Sequence, residues 1–366
     1  MRVTSCAALV AAALLAGTAL ARADAVVDRA KALVESAIAP AAAWDGPTTG
    51  PQAVAGKSIV YVAADLRNGG IQGVADAVKQ AGAAIGWNVR VLDGQGDVSG
   101  IDSAFGQAIA LKPDGIVVGG FDVVQNAAKI QDAVKQGITV VAWHGGPKPA
   151  PMPEYGIFMN VGTDADRVAE VAASYAIAES NGTAGVVIFT DSAYAIALHK
   201  ARAMESVIKS CSGCKVLSFE DTPLADTSNR MPQLATTLVQ RYGDKWTWSL
   251  AINDLYFDFI APPLSSAGKD PAGPPMNVSA GDGSQSAFER IRTGQFQAAT
   301  VPEPLGVQGW QLVDELNRAF AKQPPSGYVA PVHLVVKANV DKDGGDRGIY
   351  DPNNGYREAY KKIWGK

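Results

Sequence analysis

Ser58-Ile59-Val60-Tyr61-Val62-Ala63-Ala64 is an unbroken apolar run rich in β-branched residues. It is followed by Asp65-Leu66-Arg67-Asn68-Gly69 and then by helical spacing from Gly70 to Ile85. The same unit recurs at once: Asn88–Leu92 then Ile101–Leu111, Gly115–Val118 then Val123–Gln136, and the run Ile138–Trp143. A half-exposed strand alternates apolar and polar residues, whereas continuous apolar runs mark strands covered by helices on both faces. Strand–helix alternation of this kind predicts right-handed βαβ units around an open parallel sheet.

The Pro-rich stretch Gly145–Tyr155 interrupts the rhythm, which then restarts. Strand-like runs at Gly156–Val161, Gly185–Thr190, Lys215–Phe219, Trp248–Ile252, Asn277–Ala280 and Gln297–Val301 precede helical stretches at Asp166–Glu179, Ala195–Lys209, Met231–Tyr242, Leu255–Ala267, Ser284–Thr293 and Leu305–Lys322. A last strand at Val332–Lys337 and a helix at Tyr356–Trp364 complete the chain. There is no tandem repeat, only two similar halves. The expected fold class is therefore α/β, with two doubly wound parallel-sheet domains. The expected first lobe is 57–160 plus 304–333, and the second is 161–303 plus 334–366.

Upstream, Val26, Val27, Ala30, Leu33, Val34, Ala37 and Ile38 recur at helical spacing, Pro40 stops that helix, and Trp44–Pro51 reads as a turn-rich loop. Residues 24–56 thus form a leader. Before it, Met1-Arg2, the small-apolar run Cys6–Leu20 and Ala21-Arg22-Ala23 have the form of a cleaved secretory signal peptide, residues 1–23. A membrane anchor needs roughly 20 apolar residues, and Arg22, Asp24, Asp28 and Arg29 end this run too early. The expected location is the periplasm.

A formal charge of −4 argues against nucleic acid as a partner, since that would select a basic face to neutralise phosphates, and it leaves small neutral ligands open. Hydrophobic content of 47% with 19% charged residues suits a folded globule with a sizeable core. Beyond Cys6, the cysteines are Cys211 and Cys214. A zinc site needs two more ligands, and His144, His199 and His333 stand at no ligand spacing. In an oxidising compartment the pair reads as a disulfide closing a tight turn.

Ligands of open α/β sheets bind beyond the carboxyl ends of the strands. Reading those positions gives Asp65-Leu66-Arg67-Asn68, Phe121-Asp122, Trp143-His144, Asp191, Asn253-Asp254, Gly281-Asp282 and Pro302-Glu303. Carboxylates can accept from vicinal hydroxyls, Arg and Asn can donate to oxygens, and aromatic faces pack on C–H patches. These types suit a polyhydroxylated ligand. Strand-end Asp and Asn are also common helix caps. That reading is taken for Asp164 and Asp226, and both readings stay open for Asp122, Asn253 and Asp282. No G-x-S-x-G elbow or P-loop is present, and Gly119-Gly120 lacks dinucleotide-binding spacing. A non-enzyme without a cofactor or metal is expected.

Several of these segments, taken in order, resemble the type I periplasmic binding proteins of the ribose-binding-like group over about 58–340. Val60–Gly70 sits at that family's first strand and ligand loop, Lys112–Val118 resembles its third strand, and Gly137–Val141 its fourth. Ala251-Ile252-Asn253-Asp254 resembles the Asn-Asp pair whose Asn contacts sugar, and Ala280-Gly281-Asp282-Gly283 the segment whose Asp does. Ala299–Pro304 matches the last crossover, where the family commonly has Gln and this chain has Glu303. The resemblance implies a three-stranded hinge, with crossings near Asn160–Gly162, Val301–Pro304 and Val332–Leu334. It also implies a monosaccharide or polyol ligand, a membrane permease of an ABC transporter as partner, and a monomer.

The implied ligand set is Arg67, Asn68, Asp122, Trp143, His144, Lys200, Asn253, Asp282 and Glu303. The chain departs from ribose binders in having His144-Gly145 where they carry Asp-Arg, Gly69-Gly70-Ile71 where they carry aromatics, and Lys200 near the place of their Arg. Repressors of the lac family share the fold but need a basic DNA-binding segment. Residues 24–56 hold only Arg29 and Lys31 as basic residues, against Asp24, Asp28, Glu35 and Asp45. A sensor that presents its ligand to a membrane receptor would use the same cleft.

Overall fold

The computed structural model describes residues 25–344 and 347–366; the expected signal peptide lies outside them. After helix α1 (residues 25–38), the first lobe is built from β1 (Ser58–Ala63), α2 (Gly69–Ala84), β2 (Asn88–Asp93), α3 (Val98–Ala110), β3 (Gly115–Gly119), α4 (Ala127–Lys135), β4 (Thr139–Trp143) and β5 (Ile157–Val161). Its five-stranded sheet has the order β2-β1-β3-β4-β5, and every pairing is parallel.

The second lobe follows with α5 (Ala165–Glu179), β6 (Gly185–Thr190), α6 (Ala195–Ser210), β7 (Lys215–Asp221), α7 (Thr227–Tyr242), β8 (Trp248–Ala251), α8 (Ala261–Ser266), β9 (Met276–Ser279), α9 (Gln285–Thr293) and β10 (Gln297–Thr300). Next come α10 (Leu305–Phe320), β11 (Val335–Val336), α11 (Val340–Gly344) and α12 (Tyr356–Trp364). The second sheet runs β11-β10-β9-β8-β6-β7, with β11 antiparallel at its edge. Apart from β11, both lobes have the same doubly wound strand order. Strands such as β3 and β6 are buried along their whole length, as their unbroken apolar sequences require.

Local chemistry sets the helix starts. Asn68 caps α2, its Oδ1 accepting from Gly70 N (2.9 Å) and Ile71 N (3.4 Å), and Ile71, Val74, Ala75, Val78 and Ala81 turn one face inward. Asp164 caps α5 in the same way. Asp226 does not cap α7; its carboxylate accepts instead from Asn229 and Arg230 side chains. The stretch expected as one helix at 255–267 is a 3₁₀ segment (Asp254–Phe259) followed by the short α8, because Pro262 and Pro263 cannot donate to a preceding turn.

The chain passes between the lobes at residues 162–164, at 301–304, where β10 hands over to α10, and at 329–334. It also passes twice more. α1 buries Ala30, Val34 and Ala37 in the core of the second lobe, whereas the following loop lies on the first. There Trp87 Nε1 donates to Val54 O (2.7 Å), Arg318 to Thr49 O (2.8 Å) and Asn317 to Pro51 O (3.1 Å). The Trp44 ring sits 4.9 Å from Tyr328 and 5.3 Å from Tyr360.

The C-terminal end corrects the linear division. α11 packs on α9 of the second lobe, but α12 buries Tyr356, Tyr360, Ile363 and Trp364 in the first lobe's core against α10, so 334–366 does not belong wholly to the second lobe. Burial of an aliphatic side chain such as Ile363 contributes about 1.5–3 kcal/mol. Cys211 and Cys214 form a disulfide between α6 and β7, with Cα atoms 5.3 Å apart.

Candidate functional site

Both sheets point the carboxyl ends of their strands at one interlobe cavity of about 290 Å³. Its first-lobe wall is Asp65, Arg67, Asn68, Ile71, Gly120, Trp143 and His144. The second lobe supplies Tyr194, Ile196, Ala197, Lys200, Leu224, Ala225, Thr227, Ser228, Ile252, Asn253, Leu255, Phe259 and Asp282. The lobes touch across the mouth, where Gln125 Nε2 donates to Ala193 O at 3.1 Å.

The second-lobe floor is a rigid polar pair. Asn253, buried after β8, accepts from Leu255 N (3.0 Å) and donates through Nδ2 to Asp282 Oδ2 (2.8 Å). Beneath it Asp254 accepts from Gly283 N (3.0 Å) and Gln297 Nε2 (2.7 Å), which fixes the loop that carries Asp282. Burial pushes the Asp254 carboxyl up to about 6, against those hydrogen bonds. Burial also lifts the Asp282 carboxyl above the ordinary range, against the pull of His144 and Lys200. Lys200, buried on α6, donates to Ala280 O (2.8 Å) and makes no ion pair among the described residues.

On the first-lobe side, Asn68 has its Oδ1 committed to the α2 cap, so it can meet a ligand through its amide N–H groups. His144 holds a left-handed backbone (φ 53°), rare for a non-glycine residue, and its ring stacks on Trp143 at 3.9 Å with planes 12° apart. Its Nε2 lies 3.2 Å from Glu303 Oε1, a close contact without hydrogen-bond alignment. Glu303 also accepts from Thr163 Oγ1 (2.7 Å) and Gln308 Nε2 (2.5 Å), and Gln308 Oε1 accepts from Trp143 Nε1 (2.7 Å). Burial alone would raise the Glu303 carboxyl, but His144, Lys200 and Gln308 outweigh it and hold it down to about 2.

Seven of the nine expected residues therefore line one cavity: Arg67, Asn68, Trp143 and His144 from the first lobe, and Lys200, Asn253 and Asp282 from the second. Arg67 is at the rim, forked onto Asp65 (2.7 and 2.9 Å), with its side chain 66% exposed. Glu303 stands behind His144, in the hinge, and not on the wall. Asp122 is also off the wall; its Oδ1 accepts from Val124 N (2.7 Å) and Gln125 N (3.1 Å), so it closes the turn that leads into α4 and caps no helix itself.

Strand-end reading missed Leu224 and Ala225, which reach the cavity from the loop after β7, and Thr227 and Ser228, which reach it from the start of α7. That loop is held by Asp191 Oδ2 accepting from Leu224 N (2.9 Å). Phe259 was missed because the 3₁₀ segment, not a helix, aims it inward. Among the described residues no cluster of side chains could hold a metal ion, and no helix is long and apolar enough to cross a membrane.

The periplasmic binding protein domain matches residues 59–324, both lobes and the cavity between them. The chain belongs to the periplasmic binding protein family. Its members are binders of ligands, and the fold agrees with solved relatives. A glucose-galactose binding protein from Geobacillus stearothermophilus superposes with a TM-score of 0.67 at 18% identity, over 78% of this chain and 99% of that one. A solute binding protein from Bacillus halodurans with bound myo-inositol gives 0.67 at 17% identity, over 78% and 96%. A sugar ABC transporter protein from Yersinia enterocolitica gives 0.70 at 15%, over 87% and 100%. No curated protein matches the sequence.

Proposed function

We propose that this periplasmic binding protein captures a monosaccharide or polyol in the interlobe cavity and delivers it to the membrane permease of an ABC importer. The observation that carries the reading is the cavity wall. It combines a buried carboxylate (Asp282), a buried ammonium (Lys200), two carboxamides (Asn68, Asn253) and an imidazole with the apolar faces of Ile71, Trp143, Leu224 and Phe259. Hydroxyl groups can both accept from the ammonium and amides and donate to the carboxylate, while the C–H faces of a ring pack on the apolar part. The glucose, galactose and myo-inositol named for the similar structures are ligands of this chemistry.

The form of residues 1–23 supports export to the periplasm. Membership of a family of ligand binders supports binding without catalysis. The chain is expected to act as a monomer whose two lobes close on the ligand. Because donors come from both lobes, ligand favours the closed form and shifts the population towards it.

A thermal-shift screen of the mature protein against pentoses, hexoses, inositols and linear polyols tests the reading. Ligand at 100 times its Kd stabilises by about 2.7 kcal/mol, so a true ligand raises the melting temperature by several degrees. Scattering of the same sample should show a smaller radius of gyration. A panel without any shift would rule out a sugar or polyol as ligand.

A further inference from the structure

The first turn of α2, in the first lobe, meets the loop carrying Asp282, in the second. A Cβ placed on Gly70 would lie 2.5 Å from both Cβ and Oδ2 of Asp282 and 2.6 Å from its Cγ, closer than side-chain atoms can approach. Its neighbour Gly69 differs: a Cβ there would stand 3.7 Å from Ser284 Cβ, an ordinary contact. The backbone does not call for glycine at 70, because the residue is helical and has no positive φ. What it accommodates is the opposite lobe.

Asp282 has little room to retreat. It is buried, its Oδ2 is held by Asn253, and Gly283 beside it is tied to Asp254. Interlobe contact at this point is also what brings Asp282 to the same cavity as Asn68 and His144. We infer that Gly70 is the steric stop of the clamp: the absence of a side chain there permits the last part of closure, and the size of residue 70 sets ligand affinity. The inference rests on the ligand-clamp reading above, but its first test needs no ligand.

Gln125→Cys with Ala193→Cys places a thiol on each side of the mouth, where the native residues are hydrogen-bonded at 3.1 Å. A short bis-maleimide then traps closed molecules. In the full mature protein, Gly70→Ala should lower the trapped fraction several-fold, and Gly69→Ala should leave it unchanged. Without the thiol pair, Gly70→Ala should weaken at least tenfold the binding of whichever of D-galactose, D-ribose and myo-inositol the parent protein binds. Its ligand-free melting temperature should stay level or rise, since alanine at a compatible helical position restricts the unfolded chain.

Trapping and affinity at the parent level in Gly70→Ala would overturn the inference. So would a large fall in its ligand-free melting temperature, which would make Gly70 a packing residue of one lobe. If the parent binds none of the three probes, the reading of these sugars as ligands is what fails, and the trapping yields still decide the role of Gly70.

Discussion

Asn253 Nδ2 donates a 2.8 Å hydrogen bond to Oδ2 of Asp282, and both side chains are buried at the cavity floor. The bond orients the carboxylate and leaves its Oδ1 without a partner among the described residues. Hydrogen bonds to charged groups are worth roughly 1.5–3 kcal/mol. Asp282→Ala should therefore weaken ligand binding about 10- to 150-fold, with a small change in melting temperature. Asn253→Ala should lose both affinity and stability, because the same side chain caps Leu255. Titration calorimetry beside melting curves separates the two patterns, and unchanged affinity in Asp282→Ala would remove it from the site.

Glu303 makes stability depend on acid. Its carboxyl is held down to about 2 in the fold, below its ordinary value of 4.5. The unfolded chain therefore binds the proton more readily, so the contribution of Glu303 is complete above about pH 4.5 and drains away as the pH falls towards 2. Glu303→Gln should melt well below the parent at pH 6, and the gap should narrow steadily from pH 4.5 to pH 3. A gap that is constant over this range would mean that the carboxylate charge is not what His144 and Thr163 hold.

Trp44 pins the leader loop onto the first lobe through Tyr328 and Tyr360. Trp44→Ala should cost about 1–3 kcal/mol, less than the 3–5 typical of fully buried aromatics because Trp44 is half-buried. Limited proteolysis should then cut within 39–56 before either lobe. Resistance of that segment in the variant would show that its backbone hydrogen bonds suffice to hold it.

The Cys211–Cys214 disulfide closes a loop with a sequence separation of only 3. Chain entropy assigns a loop of this size about 2 kcal/mol or less. Replacing both cysteines by serine should lower the melting temperature by a few degrees and leave affinity within twofold, because the pair lies at the far end of α6 from Lys200. A large loss of binding would require a link from that turn to the cavity.

The central strands were legible because they are buried apolar runs, as β1, β3 and β6 show. The edge strands β2 and β7 are half-exposed and were legible from their β-branched residues and their place in the strand–helix alternation. Cavity-lining residues were legible where a polar side chain follows a strand, as at Asn68, His144, Asn253 and Asp282. Asp122 has the same local sequence logic, yet its carboxylate turns back to Val124 and Gln125. Only the path of the following backbone distinguishes the two cases. Leu224 and Phe259 carry no such polar marker and reach the cavity through loop geometry alone. The lobe assignment of α12 was hidden for another reason. Its apolar face is plain in sequence, but which lobe receives it depends on where the linker from α11 leads. The expected strand 332–337 shrank to Val335–Val336, because Leu334 N bonds instead to Ala37 O at 2.9 Å, joining the leader.

That cross-linked weave of leader and tail makes the molecule a ready optical gauge. Arg29 projects to solvent from a helix fixed to the second lobe, and Glu358 from one fixed to the first. Dyes coupled at those two places would ride on opposite bodies and stay clear of the cavity, so a change in energy transfer would report lobe rotation in real time.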